Sequence, residues 1–292
     1  MINLIKKISQ YKWHISDYAT IGVLACVVIT FVLGNEADIS YNWRWSTSLG
    51  YLFYQDDMGY WQPNIIIYGL INTLRLFGFS IIIGLVIGSA LAVMRIVRIK
   101  SLNILSTGYI NAVRNIPPLV FLFIFYFFIS EQIFPKIGLT PEFISGNFIL
   151  TFLFGDSLEG VNLLSGSLCL GLFEAVFFAE IFRGAILSIE KGQRDAGRAL
   201  RFSWWQTMRL IILPQAIKKS YPSLAGQSII ALKNTSIASL ISVKDIVFSG
   251  IEVISSTHRI FETWIIVAVI YFILCYGLHR IFSHFEATQT IK

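Results

Sequence analysis

The sequence predicts an all-α protein, a polytopic bundle of transmembrane helices, and three observations carry that prediction. Hydrophobic residues fill 55% of its 292 positions and charged residues only 14%, against about 25% charge in a water-soluble domain; the mean hydropathy is +0.68. The apolar residues gather in runs at 18–34, 65–94, 102–130, 162–188, 223–241 and 263–282, near the length of about 20 residues that crosses a bilayer as a helix. The connections between these runs alternate basic and acidic, the pattern of loops sorted by the positive-inside rule.

Taken in order, the run at 18–34 follows Lys6, Lys7 and Lys12, flanks that would also suit a secretory signal. The residues after it, Gly34 to Ser40, offer no small-x-small cleavage site, so it reads as an uncleaved anchor. Residues 35–63 carry Glu36, Asp38, Asp56 and Asp57 against Arg44. The second run, 65–94, contains Gly84 and Gly88 in GxxxG spacing, a close-packing signal that points to helix contact rather than to a specific dimer seam. The short loop 95–100 carries Arg95, Arg98 and Lys100 and no acid. The third run is interrupted by Arg114-Asn115-Ile116-Pro117-Pro118, and prolines end or kink a helix. Residues 131–161 carry Glu131, Glu142, Asp156 and Glu159 against Lys136. The fifth run is weak because Lys233 and Asn234 interrupt it. Six spans with both termini in the cytoplasm satisfy every loop. Trp43, Trp45 and Trp61 flank the outer mouth and Trp264 opens the last span, where interfacial indoles sit well.

Segment 190–219 is the most polar connection. It carries Lys191, Arg194, Arg198, Arg201, Arg209, Lys218 and Lys219 against Glu190 and Asp195. Residues 193–202 suit one short helix, Ser203 is a good N-cap for a second, and Pro214 fits a helix boundary. Trp204, Trp205, Met208, Ile211 and Ile212 recur at helical spacing. The result is a helix–turn–helix knob under the membrane, with Ala196, Gly197 and Ala199 small enough for close approach. Two readings stand side by side: a knob that docks on a soluble partner, and an amphipathic hairpin lying on lipid headgroups.

Several function classes lack their residues. There is no GxxxxGK[ST] phosphate loop, HExxH, GxSxG or GxGxxG. His14, His258, His279 and His284 sit near span ends without a paired nucleophile, and Cys26, Cys169 and Cys275 lie in apolar runs as small buried side chains. No catalytic residue and no metal site is expected, and nucleic acid is not an expected partner. If ATP is consumed, another chain consumes it.

The segment 190–215 resembles the EAA loop of ABC importer permeases, whose pattern is Glu-Ala-Ala, three residues, Gly, nine residues, Ile-x-Leu-Pro. Asp195, Ala196 and Gly197 take the first three places, and Ile211, Leu213 and Pro214 fall at the family spacing. Asn72-Thr73-Leu74-Arg75, Arg114-Asn115-Ile116-Pro117, Ala179 to Gly184, Leu213 to Ala216 and Leu232 to Ser236 are similar to the polar amino acid branch, from about 68 to 282. Asp195 and Gly197 depart from the pattern, and Arg201 stands where the family has its Gly. That Gly ends the first loop helix at positive φ, so Arg201 must strain the turn or the helix must end differently.

The resemblance implies a type I ABC importer permease: a five-helix core plus one extra N-terminal span, in the bacterial inner membrane. The domains it implies are 1–63 (tail, anchor and periplasmic loop), 64–285 (permease, with coupling loop 190–215) and a cytoplasmic tail, 286–292. Implied partners are an ABC ATPase dimer, a second permease copy or sister permease, a periplasmic amino acid-binding protein, lipid and the amino acid itself. No cofactor is implied for this chain; ATP and Mg belong to the ATPase. Asp195, Ala196, Gly197, Arg201, Ile211, Leu213 and Pro214 would form the coupling loop. Asn72, Arg75, Arg114, Asn115, Glu174, Lys233 and Asn234 are candidates for the substrate path, because ionisable groups within spans usually face protein or water and broken helices tend to line cavities. Glu180 and Arg183, three apart, suit a structural ion pair. A partner-independent secondary transporter is the alternative, and a membrane-embedded enzyme the third reading, with only Glu174 and Glu180 as carboxylates.

Overall fold

The computed structural model describes residues 22, 23, 26, 41–97 and 99–290. The expected anchor at 18–34 and its basic tail lie outside these, apart from positions 22, 23 and 26. The chain divides into two compact units, Met1–Trp43 and Arg44–Lys292. Residues 44–63, which the sequence groups with the N-terminal part, thus fall in the second unit. Cys169 is buried, while Cys275 is half-buried and Cys26 exposed, so burial is confirmed for only the first of these three.

The second unit opens with α1 (Trp45–Leu49) and a short antiparallel hairpin, β1 (Phe53–Gln55) and β2 (Trp61–Pro63), with Tyr54 opposite Gln62. The Asp56 carboxylate closes its turn by accepting from the N–H groups of Met58 (3.0 Å) and Tyr60 (2.8 Å). Helix α2 (Ile65–Ile96) starts at Asn64, whose side chain accepts from the Ile65 N–H at 2.8 Å. Next come α3 (Lys100–Arg114) and α4 (Pro118–Ile124), the latter prolonged by a π-helical turn, Phe125–Ser130. The two are bent by 110° at the break. Pro117 and Pro118 supply no N–H, so α3 cannot continue, and Pro118 suits the first turn of α4.

Short helices α5 (Pro141–Ser145) and α6 (Phe148–Phe154) lead into α7 (Ser157–Leu187). The polar loop holds α8 (Lys191–Ala199) and α9 (Trp204–Thr207). A π-helical stretch, Met208–Ile212, joins α9 directly to α10 (Leu213–Asn234), which passes into a 3-10 helix, Thr235–Ile241. Helices α11 (Ile246–Thr257) and α12 (Ile260–Thr290) complete the unit. Two boundaries therefore move. The weak fifth run is α-helical only to Asn234 but begins ten residues early, at Leu213. The last helix continues through most of the expected tail, to Thr290.

Contacts along α7 give the topology. Leu76 lies near position 166, Ser80 bonds Ser167, Gly88 faces Ala175 and Phe178, and Arg95 meets Glu180. The numbers rise together, so α2 runs parallel to α7. The bent pair runs the other way: Ile110 and Val113 share a buried cluster with Val176 and Ala179, Phe121 packs at a tilt on Phe173 with ring centroids 5.7 Å apart, and Ser130 bonds Ser165. Taken as one crossing, the bent pair passes α7 in the opposite direction. Helix α10 also opposes α7, from Lys219 on Ser188 O, through Gln227 and Asn234 on Glu174, to Ala238 near Gly166. At its far end α12 packs Phe282 on Tyr221, with Thr263 and Val267 near Gly250. Among the described residues α2, α7 and Ile260–His284 are each long and apolar enough to cross a membrane, and the bent pair, taken as one, makes a fourth crossing. With α10 they form the five-helix core.

The α2–α7 contact is close along its length. A Cβ on Gly88 would lie 2.8 Å from both the Ala175 carbonyl oxygen and Phe178 Cβ, and one on Gly171 would lie 2.6 Å from Ile83. The GxxxG pair of α2 is thus spent inside the chain.

Candidate functional site

The loop 190–215 is a hairpin of two helices clamped to the end of α7. Ile212, Ile186, Ile189 and Ala216 are buried together, with Met208, Ile211 and Leu213 packed against them. Gln215 reaches Gln193 at 3.2 Å, and Arg194 donates to the Ile186 carbonyl at 3.2 Å. Ser203 caps α9 in a full capping box: its hydroxyl accepts from Gln206 N–H at 3.3 Å and its own N–H donates to Gln206 Oε1 at 2.8 Å.

Three details refine the sequence reading. Pro214 does not end a helix. The π-helical turn before it shifts the hydrogen-bond register, and the chain passes from α9 into α10 unbroken. Gly197 does not face outward. It is buried, and a Cβ there would lie 2.7 Å from both Thr207 Cγ2 and Oγ1, so alanine at this place would require the Thr207 side chain to shift. Arg201 adopts the left-handed conformation, φ 57°. Phe202 N–H bonds Gly197 O at 3.0 Å and Arg201 N–H bonds Arg198 O at 2.9 Å, the two bonds of a Schellman motif. The turn the family makes with glycine is kept, and Arg201 bears its strain. Arg201→Gly is therefore expected to stabilise the protein by about 1 kcal/mol and to raise its melting temperature by roughly 2 °C, measured by thermal unfolding in detergent. Asp195 and Ala196 lie on an exposed face in the middle of α8, with Asp195 paired, among the described residues, to Arg198 at 3.3 Å.

Five of the candidate path residues fall at one depth. Glu174, close to the middle of α7, is buried and accepts from Asn234 Nδ2 at 2.8 Å and Gln227 Nε2 at 2.7 Å. Lys233, beside Asn234, is exposed on the single chain. Arg114 and Asn115, also exposed, sit at the break of the bent crossing, where its neighbours pack on 173–179 of α7. Charge and open backbone thus gather level with Glu174, halfway across the bundle. Gln227 was not singled out in the sequence, and nothing in its surroundings there marks it.

Asn72 and Arg75 lie elsewhere, on a cavity of about 850 Å³ at the acidic end. Asn72 donates to the Lys244 carbonyl at 3.0 Å, and Arg75 donates to Asn72 Oδ1 at 3.4 Å and Phe152 O at 3.2 Å. Lys244, Glu159 and Glu252 share the wall. Lys244 is ion-paired with Glu159, and that hydrogen bond holds its ammonium pKa above the usual value. At the opposite, basic end, Glu180 Oε2 lies 2.9 Å from Arg183 Nη2, and its other oxygen meets Arg95. Arg95 had counted only as loop charge.

A family profile described as the binding-protein-dependent transport system inner membrane component matches residues 80–290. The chain is 35% identical over 206 residues to the "Probable glutamine ABC transporter permease protein GlnM" of Bacillus subtilis, covering 70% of this chain and 84% of that one. It is 32% identical over 177 residues to the glutamate/aspartate import permease protein GltK of Escherichia coli O6:H1, covering 61% and 72%. Among solved structures, one titled as an amino acid ABC transporter with histidines superposes with a TM-score of 0.63 at 29% identity, covering 77% of this chain and 94% of that one. An inward-facing MetNI methionine ABC transporter superposes with a TM-score of 0.60 at 18% identity, covering 77% and 95%, a likeness of fold alone.

Proposed function

The chain belongs to the binding-protein-dependent transport system inner membrane components, as a permease of the polar amino acid ABC importers, and from that premise we propose how it carries its solute. The basic end, with Arg95, Lys100 and the loop 190–219, faces the cytoplasm. There a separate ATPase dimer grips α8 around Asp195 and Ala196. A binding protein delivers a polar amino acid at the acidic end, where Arg75 and Lys244 stand beside Glu159 and Glu252, charges of both signs for a zwitterion. A second permease, identical or a sister, completes the path at the level of Glu174. The chain itself is non-catalytic; ATP and Mg belong to the ATPase.

The observation that carries this reading is the mechanical continuity of the loop. The helix capped by Ser203 continues from Trp204 through Pro214, and past an interior proline at Pro222, to Asn234, which bonds Glu174 in mid-bundle. A tilt imposed on α8 passes through the Gly197–Thr207 and Gln193–Gln215 contacts into this helix and along it to the depth where the polar groups collect, a rigid-body route to alternating access. The secondary-transporter alternative has no such use for an exposed, braced cytoplasmic hairpin.

The test is uptake of labelled glutamine, glutamate or histidine by proteoliposomes holding this permease with its ATPase. Accumulation that requires both enclosed ATP and added binding protein is expected. Accumulation driven by a proton or sodium gradient without ATP would overturn the reading.

A further inference from the structure

At the basic end a second cavity, of about 710 Å³, opens between the loop hairpin and the ends of α2 and α7. Its wall combines the guanidinium groups of Arg95, Arg183, Arg194 and Arg198 with the indoles of Trp204 and Trp205. Two carboxylates offset part of this charge: Glu180 lies between Arg95 and Arg183, and Asp195 pairs with Arg198. Arg194 has no carboxylate partner among the described residues and donates only to the Ile186 carbonyl. Four cations against two anions leave the cavity net positive. The lining also includes Leu187 and Met208, and Trp204 and Trp205 meet edge to face at 4.9 Å while remaining 40% and 64% exposed.

We propose that this cavity holds the phosphate headgroup of an anionic phospholipid from the membrane leaflet at the basic end. The charge selects an anion, and planar guanidinium groups suit phosphate oxygens in particular. The apolar and indole wall selects an amphiphile over a soluble anion, because Trp side chains sit at headgroup level with one face in the acyl boundary. The position fits as well: Arg95 and Leu187 mark where two spanning helices leave the hydrocarbon. A lipid bound there touches the bundle through Arg95 and Arg183 and the hairpin through Arg194 and Arg198. It braces the loop from the membrane side and leaves the exposed face of α8 free for a protein.

The experiment uses the assembled permease–ATPase complex purified in detergent and examined by native mass spectrometry after exposure to phosphatidylglycerol or phosphatidylcholine. Retention of phosphatidylglycerol and not phosphatidylcholine is expected. Arg194→Gln with Arg198→Gln should lower that retention about tenfold or more, since each basic residue near an anionic surface contributes severalfold. Should the double variant fail to assemble, the wild-type complex still decides the matter through its indoles. Brominated phosphatidylglycerol should quench fluorescence that is missing from a Trp204→Phe/Trp205→Phe complex, and brominated phosphatidylcholine should not. Equal retention of both lipids, no quenching difference, or displacement of the lipid by millimolar inorganic phosphate would overturn the proposal; the last would mark a soluble-anion site. Crosslinking of this cavity to the ATPase chain in place of lipid would overturn it too. Retention is read without transport, so its failure leaves the coupling reading untouched.

Discussion

Asp195→Lys and Ala196→Asp, made separately, are each expected to lower ATP-driven uptake at least about tenfold while leaving the protein in the membrane. Both positions are exposed on α8, so neither change buries a charge. The pair Asp195–Arg198 is a surface i,i+3 contact with side chains 65% and 75% exposed, worth about 0.2–0.5 kcal/mol at most. Its loss cannot unfold the bundle. At an interface the balance is different: a reversed or inserted charge facing the wrong partner costs several kcal/mol, and about 1.4 kcal/mol already changes an association tenfold. The measurement pairs uptake in proteoliposomes with co-purification of the ATPase. Wild-type uptake and full ATPase recovery in both variants would remove the hairpin from the coupling role.

The second large effect is structural. Gly88→Leu is expected to abolish recovery of a monodisperse protein, because its Cβ would fall 2.8 Å from the Ala175 carbonyl oxygen and 2.8 Å from Phe178 Cβ. Overpacking against side chains costs about 1–3 kcal/mol, and here a backbone oxygen must move as well. Gly78→Leu is the control: it lies on the same helix, and a Cβ there meets nothing within 4 Å. Size-exclusion profiles and thermal unfolding of both variants in detergent separate the two sites. Equal behaviour of Gly88→Leu and Gly78→Leu would show that the α2–α7 contact is looser than described.

What the residues disclosed before any coordinates follows a physical division. Apolar run length is a local quantity, and it located the core helices among the described residues. Ser203 and Arg201 were also legible, because caps and turns depend on neighbours within a few positions. The misplaced features depend on distant partners or on backbone register. Arg95 belongs to Glu180, 85 residues away, and no single sequence displays such a pairing. Gln227 looks like any polar residue until Glu174 is seen across from it. Gly197 suggested an outward small patch because Thr207, which fills the space above it, lies across a turn. Pro214 suggested a break because the π-helical turn that admits it has no local signature. Asn72 and Arg75, one turn apart near the outer end of their span by sequence, do line the cavity at the acidic end.

The backbone contact of α2 with α7 at Gly88 and Gly171 also limits how the molecule can flex. Two rods that interlock at this range cannot slide lengthwise without prising glycine away from carbonyl and side chain, so a shearing displacement between them is barred. They swing as one plank, so whatever pivots during a transport cycle must lie outside this pair of helices.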